Sequence, residues 1–388
     1  MNIGVHYGAY EDFGSGPFLY ALSRGTAEML DEGLQTWQRP TNHKFKIHYA
    51  GHTFHFSPVF KELEYCDIKI LSAGIRITQE RHIQEYYNKV DYIFLHTREG
   101  EMIQGYEEDN IRKWIQLEKV YFICNHRLKE FENHPKVVID LAINLFHMYN
   151  TFGFYYLNYY PFDKKKNLIG VYNRDTQYKS YRHELLKLFT EYTGQEIHRF
   201  DSDKTFYTEL SGKVLDVWNW QRMHMAGYTD YATCVANVVF ETQSGDHHFD
   251  MLTEKTVKSI IFQAANIFFI WVGTYRGMKW LHEKGFWFLN SEFFDPNDFV
   301  NEPYFSPDYA GVDKDLATPV YKSAYKAVKY LKELKDQLGT DDAVYQHLVE
   351  KYKDKIDSNV TNFKRLLENC EYTDWVMNII TQPKQIES

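Results

Sequence analysis

Cysteine is scarce in this sequence, which has four cysteines among 388 residues and no C-x-x-C pair. They stand at positions 66, 124, 234 and 370, too far apart for the closely spaced ligand pairs of a structural zinc site. Secreted domains that depend on disulfides are rich in cysteine, so this composition excludes a disulfide framework. We therefore expect the protein to work in a reducing, cytoplasmic compartment.

Long hydrophobic runs are missing as well. The most apolar stretch, Ser259 to Gly273, is interrupted by Gln263 and Asn266 and is shorter than the roughly 20 residues that span a bilayer. The first residues contain no basic segment and reach an acid at Glu11, unlike a signal peptide. We expect no membrane insertion and no cleaved leader.

The sequence also lacks an excess of positive charge. Lys and Arg number 44 against 53 Asp and Glu, which gives a formal net charge of −9. A protein that holds nucleic acid mainly by coating its phosphates needs a basic surplus, so that class is excluded. A local basic groove is still compatible with this charge, and the lysines that could form one are residues 44, 46, 164, 165 and 166.

Short apolar runs that alternate with amphipathic stretches make up the first part of the chain. Hydrophobic residues are 44% of the sequence, which excludes disorder. The pattern is typical of a parallel sheet with crossover helices. It predicts strands at Asn2 to Tyr7, Phe45 to Phe56, Asp67 to Leu71, Tyr92 to Leu95 and Val120 to Cys124, and helices at Pro17 to Trp37, Gln79 to Lys89, Tyr106 to Leu117 and Val137 to Tyr149.

The same alternation resumes after an aromatic and basic stretch, Thr151 to Lys166, where we place a domain boundary. The length fits two domains of ordinary size. Strands are predicted at Leu168 to Tyr172 and Glu196 to Phe200, and helices at Tyr181 to Tyr192, Ala317 to Leu338 and Asp342 to Cys370. The predicted division is 1–155, 156–310 and a helical C-terminal region, 311–388.

The stretch from Val235 to Phe288 carries the most specific chemistry. A predicted strand ends at Phe240-Glu241, a polar loop follows, and Thr253-Glu254-Lys255 stands at the head of a helix before a second strand, Ile267 to Val272. A helix N-terminus favours phosphates, a Lys there adds a full charge, and a neighbouring Glu can accept hydrogen bonds from ribose hydroxyls. This order predicts a cradle for a nucleotide diphosphate; the alternative is an ordinary solvated first helical turn.

Two families share this motif. A strand that ends in Phe-Glu, followed by a loop and Thr-Glu-Lys, resembles the fucosyltransferase-type GT-B glycosyltransferases. The run Thr253-Glu254-Lys255-Thr256-x-Lys258, with Leu281, Gly285 and Phe286 after it, is similar to the glycosyltransferase-like proteins of tailed phages. The resemblance covers residues 168 to 295 and implies two Rossmann-like α/β domains of GT-B type; a viral origin would place the protein in the host cytoplasm.

The resemblance also implies roles for individual residues. The first domain would bind the acceptor and the second a nucleotide-diphosphate sugar, with no cofactor and no metal. Glu254 would hold the ribose, Lys255 and Arg182 the diphosphate, and Glu241 the sugar or nucleoside; the donor-binding set is completed by Arg174, Thr253 and Lys258. For the general base we expect Asp12 or Glu11 in the glycine-rich loop after the first strand, or Glu99.

The identity of the acceptor and two other hypotheses of function remain open at this point. The phage likeness favours a hydroxymethylated base in DNA as acceptor, and a glycan is the alternative. Asp201-Ser202-Asp203 matches the D-x-D of metal-dependent transferases, and an inactive protein of the same fold would be a sugar- or nucleic-acid-binding module. Two histidine-containing segments offer weaker metal candidates, residues 48–55 and 246–250.

Overall fold

The computed structural model describes residues 1–7, 26–29, 44–74, 80–96, 106–124, 129–131, 133–139, 164–172, 180–194, 198–200, 231–245, 252, 254–263, 266–295, 319–368 and 371–381. The chain divides into two compact units. One consists of Met1–Thr151 with Leu366–Ser388, and the other of Phe152–Arg365. The three-part division drawn from the sequence stays a prediction.

Twelve strands are seen in the described residues: β1 Asn2–Tyr7, β2 Thr26–Met29, β3 Phe45–Tyr49, β4 His52–Ser57, β5 Ile68–Gly74, β6 Tyr92–His96, β7 Val120–Cys124, β8 Val137–Ile139, β9 Asn167–Tyr172, β10 His198–Phe200, β11 Cys234–Gly245 and β12 Phe268–Thr274. The described α-helices are α1 Glu80–Tyr87, α2 Tyr106–Trp114, α3 Ser180–Thr193, α4 Glu254–Gln263, α5 Tyr275–Glu283, α6 Pro319–Leu338, α7 Asp341–Glu368 and α8 Glu371–Thr381. Short 3-10 helices lie at Phe60–Leu63, Lys129–Phe131 and Leu289–Phe293. None of the described helices is long and apolar enough to cross a bilayer.

The sheet of the first unit has the strand order β2-β3-β4-β1-β5-β6-β7-β8 over the residues described. From β4 to β8 neighbouring strands are parallel, while β2, β3 and β4 pair antiparallel. Strands of a parallel sheet are buried on both faces, which explains their continuous apolar runs. The predicted mixed α/β class with parallel pairing is therefore confirmed for this sheet.

The sheet of the second unit has the order β10-β9-β11-β12, and its described strand pairs are all parallel. Its apolar core is formed with α3, α6 and α7; buried members are Val171, Phe189, Val238, Ile270, Leu331 and Leu348. The apolar residues of the central strands β9 and β11 pack against the apolar stripe of the helix layer, as expected for an α/β layer.

The helix predicted from Pro17 to Trp37 is wrong at Thr26–Met29, which forms β2 antiparallel to β3, with Thr26 opposite His48 and Met29 opposite Phe45. The remaining residues of that prediction lie outside the described part of the chain. Helix-like spacing over a few residues is a weak signal, because a neighbouring edge strand can impose an extended conformation.

The single strand predicted from Phe45 to Phe56 is also wrong, because the chain reverses at Ala50-Gly51 into the β3–β4 hairpin. Both turn residues have positive φ, 48° for Ala50 and 78° for Gly51. Two left-handed residues match the twist of a two-residue hairpin, but Ala is not a usual signal for this turn. The alternating pattern on both sides of the turn therefore looked continuous.

The helix predicted from Val137 to Tyr149 is wrong at Val137–Ile139, which forms β8 parallel to β7. The last helix, α8, was not predicted. It belongs to the first unit, where the Trp375 ring contacts the rings of Phe94 and Tyr121 at centroid distances of 6.1 Å each. Contact with a sheet more than 250 residues earlier in the chain has no local sequence signal.

Candidate functional site

The carboxyl edge of the second sheet has the topology of a ligand site. The chain runs from β9 to β10 on one side of β9 and then returns to β11 on the other side. In open α/β sheets ligands bind outside the carboxyl ends of the strands, at the point where the strand order reverses. That point lies here between the ends of β9 and β11.

Glu241 lies at this edge. The regular pairing of β11 with β12 ends at Phe240, opposite Val272, and resumes only at Gly245, opposite Thr274. The prediction that β11 ends at Glu241 is wrong, since the strand continues irregularly to Gly245. Glu241 is therefore the first residue beyond the regular ladder, at the carboxyl edge.

The Glu241 side chain is fully buried and holds the start of α4. The hydroxyl of Thr256, the third residue of α4, donates to the Glu241 carboxylate and accepts a hydrogen bond of 2.8 Å from Trp271 Nε1. A hydroxyl that donates to one group and accepts from another has its orientation set by both. The first turn of α4 is thereby attached to the ends of both β11 and β12.

The Trp271 indole is the largest fully buried side chain in the described residues, and two glycines make room for it. A Cβ at Gly273 would lie 2.4 Å from the indole, and one at Gly277 would lie 3.0 Å from it. Helix α5 starts at Tyr275, because Thr274 caps it and its hydroxyl accepts from the Gly277 N–H. The two glycines therefore serve the packing of Trp271.

Asn290 completes the edge of β12. Its Oδ1 accepts from the Trp271 N–H at 2.8 Å, and its Nδ2 donates to the Trp271 carbonyl at 2.9 Å and to Ser323 Oγ at 3.0 Å. An open strand edge leaves N–H and C=O groups unpaired, and burying them without partners is costly. Asn290 acts here as a one-residue substitute for a further strand.

Asn359 on α7 holds the other end of α4. It donates to Gln263 Oε1, at the end of α4, and to the Trp287 carbonyl at 2.6 Å, and it accepts from the Trp287 N–H at 2.6 Å. Asn359 opens a formal N-glycosylation sequence, Asn359-Val360-Thr361, but its side chain is fully buried. Both ends of α4 are thus attached to buried side-chain amide or carboxylate groups.

The Leu281, Gly285 and Phe286 of the sequence motif form the C-terminal cap of α5. Gly285 has φ +79°, its N–H donates to the His282 carbonyl at 2.9 Å, and the Phe286 N–H donates to the Leu281 carbonyl at 2.8 Å. These two bonds with a left-handed glycine define a Schellman cap. The motif residues have a structural role at this helix end.

Four of the predicted donor-binding residues lie on helices at this end of the second unit. Glu254, Lys255 and Lys258 belong to the first turns of α4, and Arg182 is the third residue of α3. Lys255 is half-buried, and its carbonyl accepts from Ser259 Oγ at 2.7 Å. Since α4 starts at the carboxyl edge, its first N–H groups and the positive end of its dipole lie there too.

The other predicted site residues lie outside the described part of the chain. They are Glu11, Asp12, Glu99, Arg174 and Thr253, together with Asp201, Asp203 and the segment 246–250. Their predicted roles stay predictions. Among the residues that the structure describes, no three His, Cys, Asp or Glu side chains are grouped so as to hold a metal ion.

Two of the five lysines considered for a basic groove are engaged elsewhere. Lys44 pairs with Glu62 at 2.6 Å. Lys165 is buried, its ammonium donates to the Ala232 carbonyl at 2.5 Å and lies 4.0 Å from the centre of the Tyr345 ring. A cation held against a carbonyl and an aromatic face is part of the core of the second unit. Lys165 therefore adds nothing to an open phosphate-binding surface, and the charge of the partly exposed Lys44 is offset by Glu62.

The carboxyl edge of the first sheet also carries buried polar side chains, which sequence reasoning missed. They lie within the last three positions of four of the parallel strands and are His6 in β1, Ser57 in β4, Ser72 in β5 and His96 in β6. The remaining positions of these strands near the edge are mainly apolar. The available signal was a polar residue in the last positions of each apolar run.

Three solved structures of an alpha1,3-fucosyltransferase are similar to this chain. The first shares 13% identity, covers 96% of this chain and 91% of the other, and has a TM-score of 0.41. The second, with GDP, shares 12% identity over 96% and 92% at a TM-score of 0.40, and the third, with GDP-fucose, 13% over 95% and 91% at 0.38. No protein-family model and no curated protein matches the chain. TM-scores of this size do not establish a shared fold.

Proposed function

We propose that this protein is a glycosyltransferase of GT-B type, which moves a sugar from a nucleotide-diphosphate sugar to an acceptor hydroxyl. The observation that carries the proposal is the attachment of the start of α4 to the carboxyl edge of the second sheet, through Glu241, Thr256 and Trp271. This places a helix N-terminus with the sequence Glu254-Lys255 beside a strand-order reversal, which suits a diphosphate.

The reaction substitutes one oxygen for another at the anomeric carbon of the sugar. The bond from that carbon to the phosphate oxygen breaks, its electron pair leaves with the diphosphate, and the acceptor oxygen forms the new bond. Lys255, Arg182 and the N–H groups of α4 would stabilise the negative charge that develops on the leaving diphosphate. Such stabilisation makes a metal ion unnecessary, and we propose a metal-independent enzyme.

Individual roles follow from position and burial. Glu254 would accept hydrogen bonds from the ribose, with Thr253 and Lys258 beside it and Arg174 as a second candidate for the diphosphate. Glu241 is buried beneath α4, so we assign it the role of positioning that helix, in place of direct contact with the sugar. The acceptor would bind at the first unit, with Asp12, Glu11 or Glu99 as candidate groups near it.

A hydroxymethylated base in DNA is the acceptor that we propose, and a glycan is the competing acceptor. An enzyme that modifies a base has to take it out of the stack, with aromatic or apolar side chains to hold it. The engagement of Lys44 and Lys165 leaves fewer cations for binding the DNA backbone. Salt dependence of binding would therefore be shallow for a DNA-binding protein.

The test of the donor site is a thermal-shift panel of nucleoside diphosphates on wild type, Lys255→Ala and Lys279→Ala, with and without Mn²⁺. Ligand that binds the folded state raises its Tm, by an amount equivalent to about 2.7 kcal/mol at 100 times Kd. We expect one diphosphate to stabilise wild type without metal and Lys255→Ala to lose most of that shift. Lys279, an exposed lysine paired with Glu283 on α5, is the matched control and should keep it.

The same panel separates the alternatives. A shift that requires Mn²⁺ would move the donor site to Asp201 and Asp203 and contradict metal independence. No shift with any diphosphate would contradict the donor site and favour a binding module. The acceptor is then identified by the mass gained by duplex DNA with 5-hydroxymethylcytosine, or by oligosaccharides, when the corresponding nucleotide sugar is supplied.

A further inference from the structure

Tyr65 is the aromatic residue that the first unit presents to solvent. It is 63% exposed, and among the exposed large hydrophobic residues in the described part of the chain it is the only aromatic one. The sequence contains 31 Tyr and 28 Phe, so aromatic side chains are otherwise used mainly to form the cores. A single exposed ring is ordinary by itself. Tyr65 differs from an ordinary surface tyrosine because both its ring and its backbone are held in place.

The Tyr65 ring is anchored through its hydroxyl to a buried histidine of β4. His55 Nε2 donates to Asn2 Oδ1 at 3.2 Å, so Nδ1 of the neutral ring accepts from the Tyr65 hydroxyl, at 2.9 Å. Burial lowers the pKa of His55, which favours this neutral form. The two rings also meet edge-to-face, with their centroids 5.3 Å apart. The far end of an exposed side chain is thus fixed by a residue that is only 7% exposed.

The backbone on both sides of Tyr65 is fixed as well. The Cys66 N–H donates to the Leu63 carbonyl at 3.0 Å, and the Cys66 carbonyl accepts from Lys69 Nζ at 3.1 Å. This segment lies so close to β1 that a Cβ at Gly4 would be 2.9 Å from Leu63 Cβ and 3.1 Å from Cys66 Sγ. A ring that is already ordered loses little conformational entropy when a ligand packs on it.

Polar side chains of the β3–β4 hairpin lie on the same face of the sheet as this anchor. Lys46 is directly opposite His55, and His48 is opposite Thr53, with 3.2 Å between His48 Nδ1 and Thr53 Oγ1. Side chains two residues apart in a strand share a face, so these four residues and Tyr65 form one surface, which we call the hairpin face. An ammonium, a hydroxyl and imidazole nitrogens together offer hydrogen-bond donors and acceptors around the ring.

The charge of the hairpin face is balanced, which decides the class of ligand. The segments 44–48 and 61–67 contain three lysines and three acids, namely Lys44, Lys46, Lys61, Glu62, Glu64 and Asp67. One of these lysines, Lys44, pairs with Glu62 at 2.6 Å. A polyphosphate chain gains its affinity from a surplus of cations, and this surface has none. A neutral sugar ring, with an apolar C–H face and hydroxyls at its rim, matches an aromatic ring surrounded by neutral and balanced polar groups.

We propose that the hairpin face is a surface binding site for a neutral saccharide chain. The Tyr65 ring packs against the C–H face of one sugar ring, and the polar side chains of β3 and β4 form hydrogen bonds with its hydroxyls. Thr53 pairs with Asn2, the first residue of β1, so the site lies toward the amino ends of these strands and away from their carboxyl edge. It holds a saccharide without taking part in transfer, and it does not depend on the proposed function.

The test uses an array of neutral oligosaccharides, followed by titration of the best binder with full-chain wild type, Tyr65→Ala and Tyr65→Phe. Loss of the aromatic contact should weaken binding by Tyr65→Ala at least about fivefold. Tyr65→Phe keeps the ring and loses only its anchor, so its affinity should lie between those of wild type and Tyr65→Ala. Leu338→Ala, which removes another exposed large hydrophobic side chain, is the matched control and should bind like wild type. Thermal denaturation of each variant checks that it is folded.

Three outcomes would contradict the proposal. They are the absence of oligosaccharide binding by wild type, binding that Tyr65→Ala retains in full, and preferential binding of a short oligodeoxythymidine that is lost in Tyr65→Ala and weakened by salt, which would assign the surface to single-stranded nucleic acid. The donor site is tested separately, because Lys255→Ala should leave saccharide binding at the hairpin face unchanged. A wild type that binds oligosaccharide through Tyr65 but no diphosphate would contradict the proposed function and support the hairpin face.

Discussion

At the residue scale, Thr256 shows how a buried hydroxyl can hold the start of a helix in position. Its neighbours in the sequence motif, Glu254 and Lys255, carry the expected chemistry, but the contacts of Thr256 set where they lie. The residue is fully buried, and its hydroxyl joins the carboxylate of Glu241 to the indole of Trp271. The motif therefore combines two residues that we propose to bind the donor with one residue that is buried in the core.

Replacing Thr256 by Val should destabilise the second unit and weaken donor binding. The change removes the acceptor of Trp271 Nε1 and one donor to Glu241, and a buried group left unpaired costs roughly 1–3 kcal/mol. Chemical denaturation of Thr256→Val and Thr256→Ser measures the effect. The Ser variant keeps the hydroxyl and should recover most of the loss; equal stability of wild type and the Val variant would contradict the role assigned to this hydroxyl.

His55 gives a residue-scale prediction for pH. Burial, and next the positive charges of Lys46 and His48, lower the pKa of His55 below its ordinary value of 6.5. Burial and Lys136 lower the pKa of His134 in the same way. The unfolded chain therefore takes up these protons first as the pH falls. The contribution of the two neutral histidines to the free energy of unfolding is fully present above about pH 6.5 and is lost progressively below it.

We expect the free energy of unfolding to decrease from about pH 6.5 downward, with a smaller decrease in His55→Asn. Urea denaturation at several pH values between 5 and 8 measures this slope. An identical slope in wild type and the variant would show that His55 does not hold its neutral form in the folded state.

At the element scale, two glycines at helix ends allow the cost of a left-handed backbone to be distinguished from the cost of a steric clash. Gly285 ends α5 with φ +79°, and a Cβ there would lie 2.7 Å from Asn362 Nδ2. Gly339 follows α6 with φ +81°, and a Cβ there would meet nothing within 4 Å. The two sites share the left-handed backbone and differ in their surroundings.

Gly339→Ala should therefore report the cost of the left-handed conformation alone, about 1–2 kcal/mol. Gly285→Ala should cost more, because Asn362, which donates to the Gly285 carbonyl at 2.5 Å, would also have to move. Thermal denaturation of the two single variants tests the order. A larger loss at Gly339 would mean that Asn362 shifts freely and that the cap at Gly285 is not constrained by α7.

The accuracy of the predicted elements followed the length of each strand and its position in the sheet. Strand β7 was predicted with its observed bounds, because Val120–Cys124 is a continuous apolar run between polar residues. Strands β2 and β8 were predicted as helix, since each has four residues or fewer and takes its conformation from a neighbouring strand. Short edge strands depend on pairing, and pairing is not visible in a local window of sequence.

At the scale of the whole molecule, the chain forms two units, each with a sheet that reverses its strand order. In each unit the carboxyl edge of the sheet holds buried polar groups, which are His6 and Ser57 in the first and Glu241 and Thr256 in the second. Buried polar groups are costly unless they are hydrogen-bonded, and both pairs take part in hydrogen bonds.

Local sequence patterns were sufficient to predict the α/β class, most strand positions and the helix that starts at Glu254, because apolar runs and helix periodicity are local properties of the chain. The order of residues along the motif also indicated Glu241 and Lys255. Three features became visible only in the folded chain: Glu241 is buried beneath α4, Asn359 is closed to modification, and His6 meets the Ser57 carbonyl. These features depend on contacts across 15 to 96 residues of chain, and such contacts form only when strands and helices pack.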